Sequence, residues 1–300
     1  MKILITGGNG QLGCELRKIL SGGVAEIGPI DPTYDAVQVV STDVDELDIT
    51  NGAEVMRFAQ EQMFDLIINC AAMTNVDGCE TAFEAAMAVN AQGPANLAAA
   101  AQATGAKLVQ VSTDYVFAGT EERPRREDDA TGPVSAYGKS KLEGERRALA
   151  ACERTFVVRT AWLYGYEGAN FVKTMLRLGS TRPRVTVVDD QLGNPTHAND
   201  LAYEILCIAS TDNYGIYHCT NEGTCSWADF AQAIMELAGL ECAVVRCTSE
   251  EYRKANPKSA VRPAYSSLEN ARLASTIGNE MRPWREALEA YMAHERERGE

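Results

Sequence analysis

Positive charge and long apolar stretches are both scarce in this sequence. The 300 residues include 28 Lys and Arg against 42 Asp and Glu, a net charge of −14 at pH 7. A chain this acidic, with no basic patch, repels a phosphate backbone, which argues against nucleic acid as a partner. No stretch approaches the roughly 18 apolar residues of a membrane span, and no signal-peptide pattern follows Met1. The sequence therefore predicts a cytoplasmic protein with no membrane partner.

The usual ligands of metal centres are also few and scattered. His197, His218 and His294 are the three histidines, and the nine cysteines include no Cys-x-x-Cys pair. An odd number of cysteines in apolar or helical surroundings is typical of reduced, buried thiols. We therefore predict no metal site. Mg²⁺ is left open as a cofactor, without support from the sequence.

Alternating strand and helix patterns predict the fold class. Residues 2–6 are a short β-branched run, a glycine cluster follows, and residues 11–20 show helical spacing of leucine and isoleucine. Further strand patterns, separated by helical ones, lie at residues 24–30, 37–40, 65–69, 107–112 and 155–159. This order is typical of an α/β protein with a Rossmann-type doubly wound parallel sheet.

A change of composition beyond residue 161 predicts a second lobe. Glycine, proline and aromatic residues become denser there, and the strand–helix alternation is less regular. We predict a dinucleotide-binding domain over residues 1–161, with a returning segment at about 196–222. Residues 162–195 and 223–300 are predicted to form a smaller C-terminal substrate-binding lobe.

Three glycines at three-residue spacing stand between the first strand and the first helix. Gly7, Gly10 and Gly13 allow a tight turn, a close approach of the backbone to a pyrophosphate, and packing of the helix on the sheet. The helix N-terminus adds free N–H groups and a positive dipole. The position of these glycines in the first strand–helix turn predicts a dinucleotide site.

An acidic residue after the second strand would bind the adenosine ribose. Asp31 lies 18 residues after Gly13, close to the spacing of about 20 expected for this role. A surface turn is an equal alternative for Asp31, and Asp48 with Ile49 is a second candidate beside the adenine. No arginine occurs between Arg17 and Arg57, which favours NADH over NADPH.

A Tyr-x-x-x-Lys pair and a threonine are the candidate catalytic groups. Tyr137 and Lys141 are four residues apart on a predicted helix, so both side chains project from one face. A nearby ammonium stabilises a phenolate and lowers the pKa of the tyrosine, and the same lysine can bind a nicotinamide ribose. Thr113 ends a predicted central strand, at the edge where open α/β sheets bind ligands.

These residues resemble the extended short-chain dehydrogenase/reductase family, and within it the dTDP-4-dehydrorhamnose reductases. The closer similarity lies in residues 69–80, 112–117, 137–145, 159–165, 170–175, 190–196 and 262–263. It implies NADH- or NADPH-dependent reduction of the 4-keto group of dTDP-4-dehydro-L-rhamnose to dTDP-L-rhamnose, with the chain a monomer or homodimer.

The resemblance also implies roles for individual residues. Tyr137 would donate the proton, Thr113 a hydrogen bond, and Lys141 would support both tyrosine and ribose. The implied cofactor contacts are Gly7, Gly10, Gln11, Leu12, Asp48, Ile49, Ala71 and Ala72. The implied substrate contacts are Thr74, Asp114, Tyr115, Trp162, Asn170, Gln191 and Arg262.

Two other functions stay open at this point. Sugar-nucleotide dehydratases generally carry an Asp-Glu pair after the threonine, whereas Asp114-Tyr115 stands here; this disfavours dehydration but leaves reduction or epimerisation of another nucleotide sugar. A catalytically idle, NADP-binding regulatory subunit, like the β subunit of methionine adenosyltransferase, keeps the Tyr-x-x-x-Lys helix. Trp162 favours the reductase, because that relative has an aliphatic residue there.

Overall fold

The computed structural model describes residues 1–299 and is built around a six-stranded parallel sheet. The strand order is β10-β5-β4-β3-β1-β2, with β1 Lys2–Thr6, β2 Gln38–Thr42, β3 Leu66–Asn69, β4 Lys107–Thr113, β5 Thr155–Thr160 and β10 Gly215–His218. After β1 the chain forms β2 on one side of it and then crosses back to form β3 on the other side. This reversal creates a crevice at the carboxyl ends of β1 and β3. The predicted fold class is thereby confirmed.

Helices cover both faces of this sheet, which is why its strands are apolar throughout. Ile3 and Ile5 pack in one buried cluster with Leu16 and Leu201, whereas Leu4 belongs to a second cluster with Leu97. Successive strand residues point to opposite faces, so the alternation of clusters shows a helical layer on each side.

The helices follow the 3.6-residue spacing in the sequence. They are α1 Gln11–Gly22, α2 Gly52–Gln62, α3 Val76–Thr81, α4 Phe83–Met87, α5 Gly93–Thr104, α6 Ala136–Ala151, α7 Phe171–Gly179, α8 Ala198–Ala209, α9 Trp227–Ala238, α10 Ser249–Ala255, α11 Ala271–Thr276 and α12 Trp284–Gly299. A π-helical turn at Ala88–Gln92 joins α4 to α5. Within residues 1–299, no helix is both long and apolar enough to cross a membrane.

A separate hydrophobic cluster forms beyond the sheet. Val172 of α7, Phe230 of α9 and Tyr291 of α12 are buried together in it. Three small two-stranded sheets complete this part of the chain: β7 Arg184–Val188 with β12 Ala243–Cys247, β6 Leu163–Tyr164 with β9 Thr196–His197, and β8 Leu192–Gly193 with β11 Cys225–Ser226. The domain boundaries given above stay a prediction.

Strand patterns at residues 24–30 and 37–40 both follow the first helix, and only the second of them forms a strand of the sheet. Residues 24–30 contain only an isolated antiparallel bridge between Val24 and Pro29. Gly28 and Pro29 interrupt the run, and proline has no N–H to donate to a ladder. The strand beside β1 is β2 at Gln38–Thr42. Asp31 therefore lies before the second strand instead of after it.

Candidate active site

A cavity of about 730 Å³ opens at the carboxyl ends of the central strands. Its wall includes Thr6 at the end of β1, Cys70 after β3, Thr113 at the end of β4 and Thr160 at the end of β5. Parallel strands present their carboxyl ends at one edge, so residues distant in sequence meet there. Its size is within the range of small-molecule sites, roughly 300–1,000 Å³.

The glycine turn lines this cavity, and side chains would not fit in it. Gly7 has φ +66, and a Cβ there would lie 2.7 Å from the backbone nitrogen of Ala71. A Cβ on Gly13 would lie 2.5 Å from the carbonyl oxygen of Gly7. Gly10 precedes α1 and supplies no side-chain cap, so the first N–H groups of α1 remain available to an anion.

The acidic residue that follows the second strand is Asp43, which the sequence analysis did not single out. Asp43 lines the cavity, and its Oδ2 accepts a hydrogen bond from the backbone N–H of Asn9 in the glycine turn, at 3.4 Å. Asp31 instead begins a 3₁₀ turn at Pro32–Tyr34 and accepts from the backbone N–H of Thr33. Asp31 is therefore away from the cavity wall, and Asp43 has the position after the second strand that was predicted for Asp31. The strand pattern at residues 37–40 was the signal for it.

Thr113 and Tyr137 meet in the cavity wall. Thr113 ends β4, and Tyr137 lies in the first turn of α6. Burial raises the pKa of Tyr137, and the nearby Thr113 hydroxyl opposes that rise. A phenol with a raised pKa holds its proton at neutral pH, which suits a group that donates a proton to a developing oxyanion.

Lys141 lies on the same face of α6, and its ammonium group is buried. Its Nζ donates to the carbonyl oxygen of Val111 at 2.7 Å. Burial lowers its pKa to about 8, against the raising effect of the Glu145 carboxylate. The influences on the pKa of Tyr137 are burial, Thr113, Asp114 and Cys79. The lowering of that pKa by Lys141 stays a prediction.

A buried ion pair lies behind these groups. Glu145, on α6, accepts hydrogen bonds from Arg159 of β5 at 2.9 and 2.7 Å, and from Ser112 of β4 at 2.5 Å. Both charged side chains are only 2% exposed. Through Arg159, Glu145 joins the helix that carries Tyr137 to β5, and through Ser112 it joins that helix to the strand that carries Thr113.

Trp162 forms part of the wall on the other side of the cavity. Its indole stacks on Trp227 of α9, with ring centroids 3.6 Å apart and planes at 8°. A Cβ on Gly193 would lie 2.5 Å from the Trp162 ring, so that glycine is what lets β8 pass beneath the indole. Trp162 has φ +46, a left-handed conformation that costs about 1–3 kcal/mol for a non-glycine residue.

Most residues predicted from the sequence lie on this cavity. They are Gly7, Gly10, Gln11, Leu12, Asp48, Ile49, Ala71, Ala72, Thr74, Thr113, Asp114, Tyr137, Lys141 and Trp162.

Four predicted substrate residues lie behind the wall instead. Tyr115 packs edge-on against Tyr137 with centroids 5.6 Å apart, and the nearby Arg262 guanidinium lowers the pKa of Tyr115 against the raising effect of burial. Asn170 donates to the side chain of Gln11 at 3.0 Å. Gln191 donates to Ser249 at 2.8 Å.

A cluster of acidic and imidazole groups lies away from the cavity. Within residues 1–299, Glu26, His197 and Asp200 are grouped closely enough to hold a metal ion. The guanidinium of Arg282 already pairs with both carboxylates, at 3.0 Å to Glu26 and 2.5 Å to Asp200. This internal cation satisfies the acidic pair without a metal.

Comparison with known proteins decides the family. Residues 1–297 match the family model described as the RmlD substrate binding domain. The chain belongs to the dTDP-4-dehydrorhamnose reductase family. A dTDP-4-dehydrorhamnose reductase of Streptomyces griseus is 42% identical over 291 residues, which cover 95% of this chain and 91% of that protein. The resemblance stated from the sequence motifs is thereby confirmed.

Solved structures of the dTDP-4-dehydrorhamnose reductase family have the same fold. One from Clostridium acetobutylicum superposes with a TM-score of 0.92 at 48% identity, covering 99% of this chain and 100% of that one. Another, from Bacillus anthracis in complex with NADP, has a TM-score of 0.90 at 39% identity and covers 98% and 99% of the two chains.

Proposed function

We propose that this chain reduces the 4-keto group of dTDP-4-dehydro-L-rhamnose to dTDP-L-rhamnose, with NADH or NADPH as the reductant. The observation that carries the proposal is the meeting of Thr113, Tyr137 and Lys141 in the wall of one cavity, which the glycine turn also lines. Relatives named for this reaction match nearly the whole chain, which supports the choice of sugar.

The residues around the glycine turn fit a dinucleotide. The close approaches at Gly7 and Gly13 leave no room for side chains, and the N-terminus of α1 points N–H groups at a pyrophosphate. We assign the adenosine ribose to Asp43 and the neighbouring wall to Asp48, Ile49, Ala71 and Ala72. When bound, the reduced nicotinamide supplies a hydride to the sugar C4.

Tyr137 completes the reduction by giving its proton to the sugar oxygen. Because the phenol is buried and its pKa raised, the proton is present at neutral pH before the reaction. Thr113 donates a hydrogen bond to the same oxygen as negative charge develops there, and a preorganised donor of this kind contributes a factor of about 10²–10³. Lys141 is close to deprotonation at its pKa of about 8 and is assigned to the nicotinamide ribose.

The remaining predicted residues are assigned to the nucleotide sugar. Trp162, Asp114 and Thr74 face the cavity directly. Arg262 is held by Asp77 at 3.2 Å and Ser259 at 2.6 Å, and we assign it to the diphosphate. Tyr115 and Asn170 are assigned to the substrate through the wall residues they contact, Tyr137 and Gln11. Gln191 is assigned to it on the family resemblance alone.

The setting of the reaction is also part of the proposal. We infer a cytoplasmic protein that works as a monomer or homodimer and binds a small molecule instead of nucleic acid. The net charge of −14 supports the last point, because nucleic acid would be repelled. The nine cysteines are all unpaired, as expected in a reducing compartment.

The test is the loss of reduced-nicotinamide absorbance when purified protein meets dTDP-4-dehydro-L-rhamnose, measured separately with NADH and NADPH. Tyr137→Phe is the matched control, because it removes the proton donor and keeps the ring. We expect turnover in the natural chain and a loss of at least about 10²-fold in kcat for the variant, with cofactor affinity unchanged. Cofactor binding without turnover of this sugar would reject the proposed reaction.

A further inference from the structure

Thr113 has one hydroxyl proton and two oxygen partners. Its Oγ lies 2.8 Å from Oδ1 of Asp114, and it is near enough to the Tyr137 hydroxyl to lower the pKa of that phenol. The backbone N–H of Tyr115 donates to the same Oγ at 3.2 Å. A hydroxyl donates once and accepts at two lone pairs, so the direction of the bond to Asp114 decides where the Thr113 proton points.

The two protonation states of Asp114 give opposite donor–acceptor directions to its hydrogen bond with Thr113. An ionised carboxylate only accepts hydrogen bonds, so it takes the Thr113 proton and leaves that hydroxyl unable to donate into the cavity. A neutral carboxylic acid can donate its own proton to Thr113. The threonine proton is then released toward the reacting side.

We propose that Asp114 acts as a neutral carboxylic acid that donates to Thr113 and thereby aims the threonine proton at the sugar oxygen being reduced. In this role Asp114 is a positioning residue, because it acts through Thr113. No proton leaves Asp114 during turnover. The inference rests on the reduction proposed above and names the state of the site in which that reduction proceeds.

The surroundings of Asp114 favour its neutral form. The residue is 2% exposed, and Oδ2 is buried without a hydrogen bond of ordinary geometry. The hydroxyl of Ser266 is nonetheless close enough to lower the carboxyl pKa, as do the bond to Thr113 and nearby backbone N–H groups. Burial outweighs them and raises that pKa to about 6.

The titratable groups that face Asp114 add to this preference. Tyr137 comes from α6 and Tyr115 from the same 3₁₀ turn as Asp114, and the Asp114 charge raises the pKa of both tyrosines. The nearest described cation on this side is Arg262, whose guanidinium lowers the pKa of Tyr115. A developing oxyanion is one more negative charge, and like charges raise the pKa of a carboxyl group further.

The first experiment is the pH dependence of kcat in the natural chain and in Asp114→Asn. The natural chain is expected to lose kcat about tenfold per pH unit above the pKa of Asp114 in the substrate complex. Asparagine presents a neutral N–H donor at every pH. Asp114→Asn should therefore keep at least about a tenth of the low-pH rate and show no such fall.

Two further variants distinguish a positioning role of Asp114 from a purely structural one. Thr113→Val removes the group through which Asp114 acts, so it should lower kcat about 10²-fold and abolish the same fall with pH. Glu204→Gln is the matched control: Glu204 is a buried acid of α8 whose pKa is raised to about 7, and it lies outside the cavity wall. Its removal should leave the pH profile as in the natural chain.

Infrared spectroscopy tests the protonation state without turnover. With reduced cofactor bound at pH 5, below the Asp114 pKa of about 6, the natural chain and Glu204→Gln should share a carboxylic-acid carbonyl band that Asp114→Asn lacks. The inference would be overturned if Asp114→Asn kept that carbonyl band, or if its kcat fell with rising pH as steeply as that of the natural chain. A chain that reduces no sugar yet shows the band would reject the proposed function alone.

Discussion

The buried Glu145–Arg159 pair offers a large and well-defined perturbation. Glu145→Ala removes three hydrogen bonds and leaves the Arg159 guanidinium at 2% exposure. The other neighbours of Arg159 do not compensate its charge. His218 lies 3.4 Å away with its pKa lowered to about 3 by burial, so it is neutral at pH 7, and Phe117 offers only a ring face.

The expected loss in the free energy of unfolding is about 3–5 kcal/mol, the range for breaking a buried ion pair from one side. Urea unfolding followed by far-UV circular dichroism measures it. Glu61→Ala is the control, because the Arg57–Glu61 pair has side chains 61% and 53% exposed and should lose no more than about 0.5 kcal/mol.

A double replacement tests the mechanism of that loss. Glu145→Leu combined with Arg159→Met removes both charges and keeps apolar volume, so it should recover much of the stability lost in Glu145→Ala. A loss in Glu145→Ala no larger than that of the surface control would refute the argument, and so would a double variant less stable than the single one.

Four substitutions probe the cavity. Gly13→Ala places a Cβ 2.5 Å from the Gly7 carbonyl and should weaken NADH binding by about tenfold or more, read by fluorescence titration; an unchanged Kd would contradict the close-packed turn. Asp43→Asn should raise the Kd of NADH about 10–100-fold, and by less for NADPH, whose 2′-phosphate a carboxylate repels; equal effects would remove Asp43 from the ribose. Lys141→Met should reduce both kcat and cofactor affinity, and if neither changes in steady-state and binding assays the lysine is outside the site. Arg262→Ala should raise KM for the nucleotide sugar at least about fivefold with KM for NADH unchanged, and the reverse pattern would assign it to the cofactor.

The sequence was most informative where a pattern extends over a whole element. The helical spacing at residues 11–20 matches α1, because Leu12, Leu16 and Ile19 lie on one buried apolar face. The glycine turn was readable for a similar reason: three fixed positions exclude side chains for three separate contacts.

The sequence was least informative where contacts are distant or local patterns are broken. The stretch before β2 is rich in Asp, Gly and Pro, so no periodicity placed the strand end, and Asp31 was chosen where Asp43 lies on the cavity. The spacing of Tyr137 and Lys141 fixed their common helix face. It did not fix the Lys141 rotamer, which reaches Val111.

The stacked indoles of Trp162 and Trp227 provide an intrinsic spectroscopic probe of this part of the structure. Two parallel chromophores 3.6 Å apart couple their electronic transitions, and the resulting circular dichroism depends steeply on their mutual angle. Trp162 belongs to the cavity wall and Trp227 begins α9. Any movement of α9 against the cavity on ligand binding will therefore change the near-ultraviolet spectrum of the unlabelled protein.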